Sequence, residues 1–179
     1  VLMPPGGFKP SDAFRLIARY KVSNMFTVPT IVKRLVEDPA VDRFDHSSLR
    51  HLIYAGAPMY REDQKRALEK LGSVLVQYYG LGEVTGNITV LRASEHTMED
   101  GPEARIGTCG VERTGIEISI QDDNGTILPP QETGGVCVVG AAVCAGYLDD
   151  DGANKKSFRN GWCRTGGIGQ MDAGRYPYR

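Results

Sequence analysis

Apolar residues change their period partway along this chain, and that change limits the folds open to it. Over residues 8–92 helical and strand spacings alternate. Phe14, Ile17 and Ala18 recur at helical spacing behind Ser11, which suits an N-cap. Asn24–Val28 (NMFTV) predicts a short buried strand. Thr30 suits the cap of a second helix with Ile31, Leu35 and Val36 inward, stopped before Pro39. Leu52–Ala55 predicts another strand, which runs into Gly56-Ala57-Pro58. The clearest helix follows, with Glu62 and Asp63 in its first turn, Lys70 in its last and Gly72 just beyond. Tyr60, Gln64, Ala67, Leu68 and Leu71 share one of its faces, and its end charges complement the helix dipole. Residues 74–78 predict a third strand. Strands separated by helices imply parallel pairing through right-handed crossovers.

From about residue 105 the period becomes two. Ile116, Ile118 and Ile120 alternate with Glu117, Ser119 and Gln121, and Asp122-Asp123-Asn124-Gly125 suits a tight hairpin turn. Gly134-Gly135 leads into a strand over residues 136–139, and Asp149–Gly152 and Asn160-Gly161 mark further turns. The expected fold class is therefore α/β. A parallel-sheet α/β subdomain over residues 1–104 is followed by a small antiparallel, β-barrel-like subdomain over residues 105–179. The polar stretch 93–105, with Gly101-Pro102, marks the boundary.

Charge and cysteine usage narrow the function classes. Lys and Arg number 21 against 22 Asp and Glu, a balance that offers no long-range attraction to nucleic acid. No apolar run approaches the roughly 20 residues needed to span a bilayer. Cys109, Cys137, Cys144 and Cys163 form no C-x-x-C pair and lie far in sequence from His46, His51 and His96, which argues against a zinc site. Reduced thiols and a cytoplasmic location are expected. The opening Val1-Leu2-Met3-Pro4-Pro5-Gly6-Gly7 has no initiator Met and no leader pattern. With the abrupt Tyr176-Pro177-Tyr178-Arg179, it suggests a segment of a longer chain.

Ligands of open parallel sheets bind beyond the carboxyl ends of strands. Two expected strands end there in glycine-bearing loops, Ala55-Gly56-Ala57-Pro58 and Tyr79-Gly80-Leu81-Gly82-Glu83. Glycine lets the backbone approach a flat or anionic ligand, Tyr79 offers a ring for stacking, and Glu83 offers a carboxylate for Mg²⁺. Ordinary strand-to-helix turns with a solvated Glu have the same appearance. The spacing Gly80-x-Gly82-x-x-x-Gly86 is wrong for a dinucleotide loop, and no G-x-x-x-x-G-K-[ST] is present.

Taken in order, these segments resemble the adenylate-forming acyl-CoA synthetase (AMP-binding) family. Residues 26–29 (FTVP) precede a helix, and residues 49–59 (LRHLIYAGAPM) resemble the adenine-side strand and loop. Residues 76–83 (VQYYGLGE) resemble Y-G-x-T-E. Residues 133–147 (TGGVCVVGAAVCAGY) resemble G-E-[IL]-x-[VI]-x-G-x-x-x-x-x-G-Y, and residues 161–172 (GWCRTGGIGQMD) resemble G-W-x-x-T-G-D-x-G-x-x-D. The resemblance implies joining of a carboxylic acid to CoA through acyl-AMP, using ATP and Mg²⁺. It assigns Gly56, Ala57, Pro58, Tyr78, Tyr79, Gly80, Leu81, Gly82 and Gly167 to the nucleotide and Glu83 to Mg²⁺ and catalysis. It also places the phosphate loop before residue 1 and the domain with the catalytic Lys after residue 179, so that this chain alone would not turn over.

The chain departs from that pattern at four positions. Gly82 stands for the usual Thr or Ser, Gly167 for the Asp that accepts from both ribose hydroxyls, Gly135 for the usual Glu, and Arg175 interrupts the last motif. A hydrogen bond to a charged group contributes about 1.5–3 kcal/mol, so losing the ribose Asp would weaken nucleotide roughly tenfold to a hundredfold. The departures support an alternative, a degenerate non-catalytic nucleotide-binding or interaction domain on the same scaffold. A luciferase-like oxygenase is a minor third reading. The acid substrate is not legible in the residues.

Overall fold

Helices and strands alternate in the first half of the chain because each apolar stripe needs another to cover it. The computed structural model describes residues 7–101 and 104–178. The opening Val1–Gly6, Pro102 of the expected boundary and Arg179 lie outside the described residues. Two compact units are present, one comprising the chain through Gln77 with Arg92–Ile106, the other Tyr78–Leu91 with the chain from Gly107.

In the first unit α1 (Pro10–Tyr20), β1 (Asn24–Thr27), α2 (Pro29–Glu37), β2 (His51–Ala55) and α3 (Arg61–Leu71) follow one another, and β3 (Leu75–Leu81) begins. β1 and β2 pair in parallel, with Phe26 opposite Ile53, and β3 neighbours β2. Phe14, Ile17, Val32, Leu35, Val36, Leu52, Tyr54, Leu68 and Leu75 make the core. Each such burial contributes on the order of 1.5–3 kcal/mol.

The helix starts differ from expectation. Pro10 and Pro29 occupy the first helical turns, with Lys9 and Val28 as caps, so Ser11 and Thr30 lie inside the helices. Proline has no N–H to leave unsatisfied there and its φ is already helical, which outweighs a Ser or Thr one residue later. β1 was expected to be buried, but Asn24 is exposed and Phe26 is 66% exposed. It is the edge strand of its sheet, with one face uncovered. Tyr60, expected on the apolar face of α3, caps that helix and is exposed.

Residues 92–101 return to the first unit through a dense polar contact. Arg61 donates to the carbonyls of Thr97 and Glu99, each at 2.6 Å, and to Asp100 at 2.9 Å, while Lys65 also pairs with Asp100. Beneath this grip His96 is buried. Its Nδ1 faces the Arg92 carbonyl at 2.9 Å, so Nδ1 carries the proton. The Tyr54 hydroxyl, itself fully buried, lies 3.1 Å from both Nε2 of His96 and Oε1 of Gln77.

In the second unit, β3 ends at Leu81, a single helical turn spans Gly82–Val84, and β4 (Gly86–Leu91) follows. Neighbouring strands joined by four residues can only run antiparallel. β4 pairs antiparallel with β5 (Val111–Glu112). A separate sheet has the order β10-β9-β7-β6, built from β6 (Ile116–Gln121), β7 (Gly134–Gly140), β9 (Trp162–Met171) and β10 (Pro177–Tyr178). Its mapped pairs are antiparallel, and β8 (Phe158–Arg159) adds to β9. Asn160 and Gly161 both have positive φ, as the tight turn between β8 and β9 requires. Val84, Ile88, Ile116, Ile118, Ile120, Val136 and Val138 form this unit's core. Asp149–Gly152, expected as a turn, opens α4 (Asp151–Ser157), because Asp150 caps the Ala153 amide at 2.8 Å. Arg175 forks onto Glu112 at 2.9–3.1 Å and so ties the β9–β10 turn to β5. The α/β fold with a following antiparallel β subdomain is thus observed.

Burial holds the His96 imidazole below its ordinary value of 6.5, a shift that the Arg92 carbonyl and the Glu95 charge oppose and the Arg61 charge assists. Because the folded value is the lower one, the unfolded chain takes up the proton first as pH falls. Stability is therefore full above about pH 6.5 and is lost as pH drops from there through the folded value. The urea midpoint of the chain is expected to fall between about pH 7.5 and about pH 5.5, and that of His96→Gln to change much less over the same interval. Equal slopes for the two proteins would contradict this account.

Candidate functional site

The turn after β2 is built around Gly56, whose φ of +87° is left-handed, and a Cβ there would meet only Val28 Cγ1, at 4.0 Å. Gly56, Ala57 and Pro58 are all exposed, and Met59 packs back on the first core. The α3 N-terminus that follows carries Glu62 and Asp63 in its first turn. Those carboxylates offset the helix dipole and disfavour an anion there, so the turn is better suited to a flat neutral group than to a phosphate.

The second expected loop is strand for most of its length. β3 continues through Tyr79, Gly80 and Leu81, which corrects the reading of Tyr79–Glu83 as a loop. The physical reason is the hairpin: Gly80 lies so close to Gly86 that a Cβ would sit 1.9 Å from the Gly86 carbonyl oxygen. Tyr79 and Leu81 pack on the second core, and strand alternation puts Tyr78 and Gly80 on the opposite face. Gly82 opens the helical turn, is exposed, and has no atom within 4 Å of a would-be Cβ.

Glu83 is held at both ends. Its carbonyl accepts from the Cys144 amide at 2.7 Å, and its Oε1 accepts from the Tyr147 hydroxyl at 2.7 Å. The Tyr147 hydrogen bond holds the Glu83 carboxyl below the usual carboxylate range and raises the Tyr147 phenol in return. Tyr147 is itself fixed. Its amide donates to Asn154 Oδ1 at 2.7 Å, its carbonyl accepts from Asn154 Nδ2 at 2.8 Å, and its ring meets Phe158 edge-on at 5.7 Å. Sequence reasoning reached Tyr147 only as the end of a glycine-rich motif and missed Asn154. A pair 64 residues apart leaves no spacing signal.

Gly167 lies on β9 and is buried, its amide donating to Thr165 Oγ1 at 3.1 Å. Thr165 Oγ1 in turn donates to the Val136 carbonyl, where the β7–β9 register slips in a bulge. A cavity of about 570 Å³ in this unit is lined by Gly135, Gly167, Arg164, Gln121, Asp122 and Asp123, among others. Two of the departures, Gly135 and Gly167, thus face one concavity. A Cβ on Gly135 would make only ordinary contacts there, 3.6 Å from the Gln121 carbonyl oxygen and 3.7 Å from Arg164 Nη2.

The four cysteines are free. Burial pushes the Cys163 thiol up to about 11 and raises that of Cys137, which leaves both poor nucleophiles. Among the described residues no group of three or more His, Cys, Asp or Glu stands together to hold a metal. A Mg²⁺ on Glu83 would therefore take its other oxygens from phosphates and water, the usual arrangement for that ion.

Comparison with known proteins covers nearly all of the chain. A family model described as AMP-binding enzyme matches residues 1–148. 4-Coumarate–CoA ligase 5 of Oryza sativa subsp. japonica is 35% identical over 161 residues, 88% of this chain and 29% of that protein. The amide bond synthetase McbA of Marinactinospora thermotolerans superposes with a TM-score of 0.87 at 31% identity, over 96% of this chain and 34% of that one. The o-succinylbenzoate CoA synthetase of Bacillus subtilis, solved with ATP and magnesium ion, gives 0.82 at 30% identity, over 96% and 34%. The chain spans about 29% of the length of the first curated relatives it matches.

The glycines of the Tyr78–Glu83 segment should respond unequally to substitution. Gly80→Ala is expected to lower stability by about 1–3 kcal/mol or more, since backbone and not a flexible side chain blocks the methyl. Gly82→Thr should stay within about 0.5 kcal/mol of the parent chain. Thermal unfolding of both variants checks this, and equal melting points would contradict the hairpin geometry.

Proposed function

The chain belongs to the AMP-binding enzyme family, and on that premise we propose that it is part of an ATP-dependent, AMP-forming acid–CoA ligase. One observation carries the reading: the family match spans residues 56–58 and 78–83 together, the segments that carry the exposed glycine turn and the Glu83 carboxylate. The B. subtilis synthetase, at 30% identity, binds ATP and magnesium ion, which supports ATP as the nucleotide here.

In this reading an acid carboxylate attacks the α-phosphorus of ATP. The bond to the bridging oxygen breaks, pyrophosphate leaves, and acyl-AMP forms. The CoA thiol then attacks the acyl carbonyl, losing its proton, and AMP leaves. Gly56, Ala57 and Pro58 contribute an exposed backbone turn for the adenine, and Tyr79 contributes a ring. Tyr78, Gly80, Leu81 and Gly82 contribute a strand end and turn, and Gly167 the ribose side. Glu83 would hold Mg²⁺, which supplies charge neutralisation where two anions meet. Its carboxylate suits that role, being partly exposed, held below the usual carboxylate range and oriented by the Tyr147 hydroxyl. Among the described residues no helix is long and apolar enough to cross a membrane. We place the reaction in the cytoplasm, with a carboxylic acid, ATP and CoA as small-molecule partners.

Gly82 and Gly167, which lack the oxygens the family uses toward phosphate and ribose, favour the rival reading of a non-catalytic nucleotide-binding domain. One assay separates the two. A longer protein that joins this chain to a phosphate loop and a C-terminal Lys domain is expected to release pyrophosphate from ATP with Mg²⁺ and one member of a panel of fatty and aromatic acids. Nucleotide binding without pyrophosphate release across the panel would favour the rival reading and overturn this one.

A further inference from the structure

Hydrogen bonds hold the Glu83 carboxylate below the usual carboxylate range. Among the described residues no Lys, Arg or His side chain forms an ion pair with it, although eleven such pairs occur elsewhere. A free glutamate at a turn would sample many rotamers, and ordering it costs side-chain entropy. Here that ordering is already in place. The Cys144 amide grips the Glu83 carbonyl and the Tyr147 hydroxyl grips Oε1, each at 2.7 Å.

The grip on the carboxylate is only as rigid as Tyr147, and the local chain fixes Tyr147 in three ways. The Asn154 side chain meets both its amide and its carbonyl, as a neighbouring strand would. Phe158 packs edge-on against its ring. Gly146 beside it has φ +145°, and a Cβ there would fall 2.8 Å from Asn154 Oδ1, so only glycine allows Asn154 its place. Asn154 is anchored in turn by the first turn of α4, where its amide bonds the Asp150 carbonyl.

We propose that Tyr147, braced by Asn154, is a positioning residue that holds the Glu83 carboxylate in one orientation through Oε1, aimed at a divalent cation carried on nucleotide phosphates. This rests on the reading of Glu83 as the metal carboxylate. Beside Tyr147, the carboxylate is bonded by its own backbone amide, so both contacts come from fixed local groups and no cation takes part. Partners that orient a metal ligand in this way commonly account for a tenfold or greater change in metal affinity.

Mn²⁺ with ATP, read by water-proton relaxation, tests the inference on this chain. The unaltered chain should bind Mn²⁺·ATP, and Glu83→Gln should lose the metal while keeping ATP. Tyr147→Phe, which removes one oxygen and keeps the ring, should weaken Mn²⁺ on the order of tenfold and leave metal-free ATP binding unchanged. Asn154→Ala should weaken it as well, and adding it to Tyr147→Phe should cause no further loss. If Tyr147→Phe binds Mn²⁺·ATP as tightly as the unaltered chain while Glu83→Gln does not, the positioning role is overturned. If Glu83→Gln binds as tightly, or the unaltered chain binds ATP without the metal, the metal reading of Glu83 fails and the inference with it.

Discussion

Where β3 passes Gly86, the two backbones approach so closely that no side chain fits between them, and the rest of the second unit's candidate chemistry follows from that contact. A Cβ on Gly80 would penetrate the Gly86 carbonyl oxygen. With glycine there, β3 and β4 form a hairpin whose connection is one helical turn. That turn carries Glu83 at its centre and buries Val84 in the core. The hairpin fixes the backbone of Glu83, and the Tyr147–Asn154 pair fixes its side chain. Neither is a large interaction alone, since a hydrogen bond to a charged group contributes only about 1.5–3 kcal/mol. Together they convert a mobile surface carboxylate into an oriented one.

Electrostatics divide the candidate segments by task. The turn at Gly56–Pro58 precedes a helix whose first-turn acids repel anions. The turn at Gly82–Val84 presents a carboxylate held below the usual carboxylate range by the Tyr147 hydroxyl. The departures from the family pattern remove polar side-chain atoms rather than space. At Gly82 a Cβ would meet nothing within 4 Å and at Gly135 only ordinary contacts, so a side chain would fit at either position.

Much of this was legible in the residues, and the failures have definite causes. Helix and strand order followed from the periods, because Phe14 and Ile17, Leu35 and Val36, and Ala67, Leu68 and Leu71 do face the core, whereas Ile31 is only partly buried and Val32 takes the inward place beside it. Capping was misjudged at Ser11 and Thr30 because Pro10 and Pro29 compete for the helix start and win. The exposure of Phe26 was not legible, since an apolar residue on an edge strand looks the same in sequence as one in the centre. Tyr79–Glu83 read as a loop because glycines usually mark turns, whereas Gly80 is needed here for close strand approach. The Tyr147–Glu83 and His96–Tyr54 contacts join residues distant in sequence, and period and spacing carry no record of such pairs.

The central proposal is that the Tyr78–Glu83 segment takes part in holding an adenine nucleotide. Amide chemical shifts of isotope-labelled chain, followed as AMP is added to about 10 times its dissociation constant, test it most directly. The account predicts shifts along Tyr78–Glu83 that saturate with AMP. Saturable shifts confined to other residues, with this segment unchanged, would contradict it.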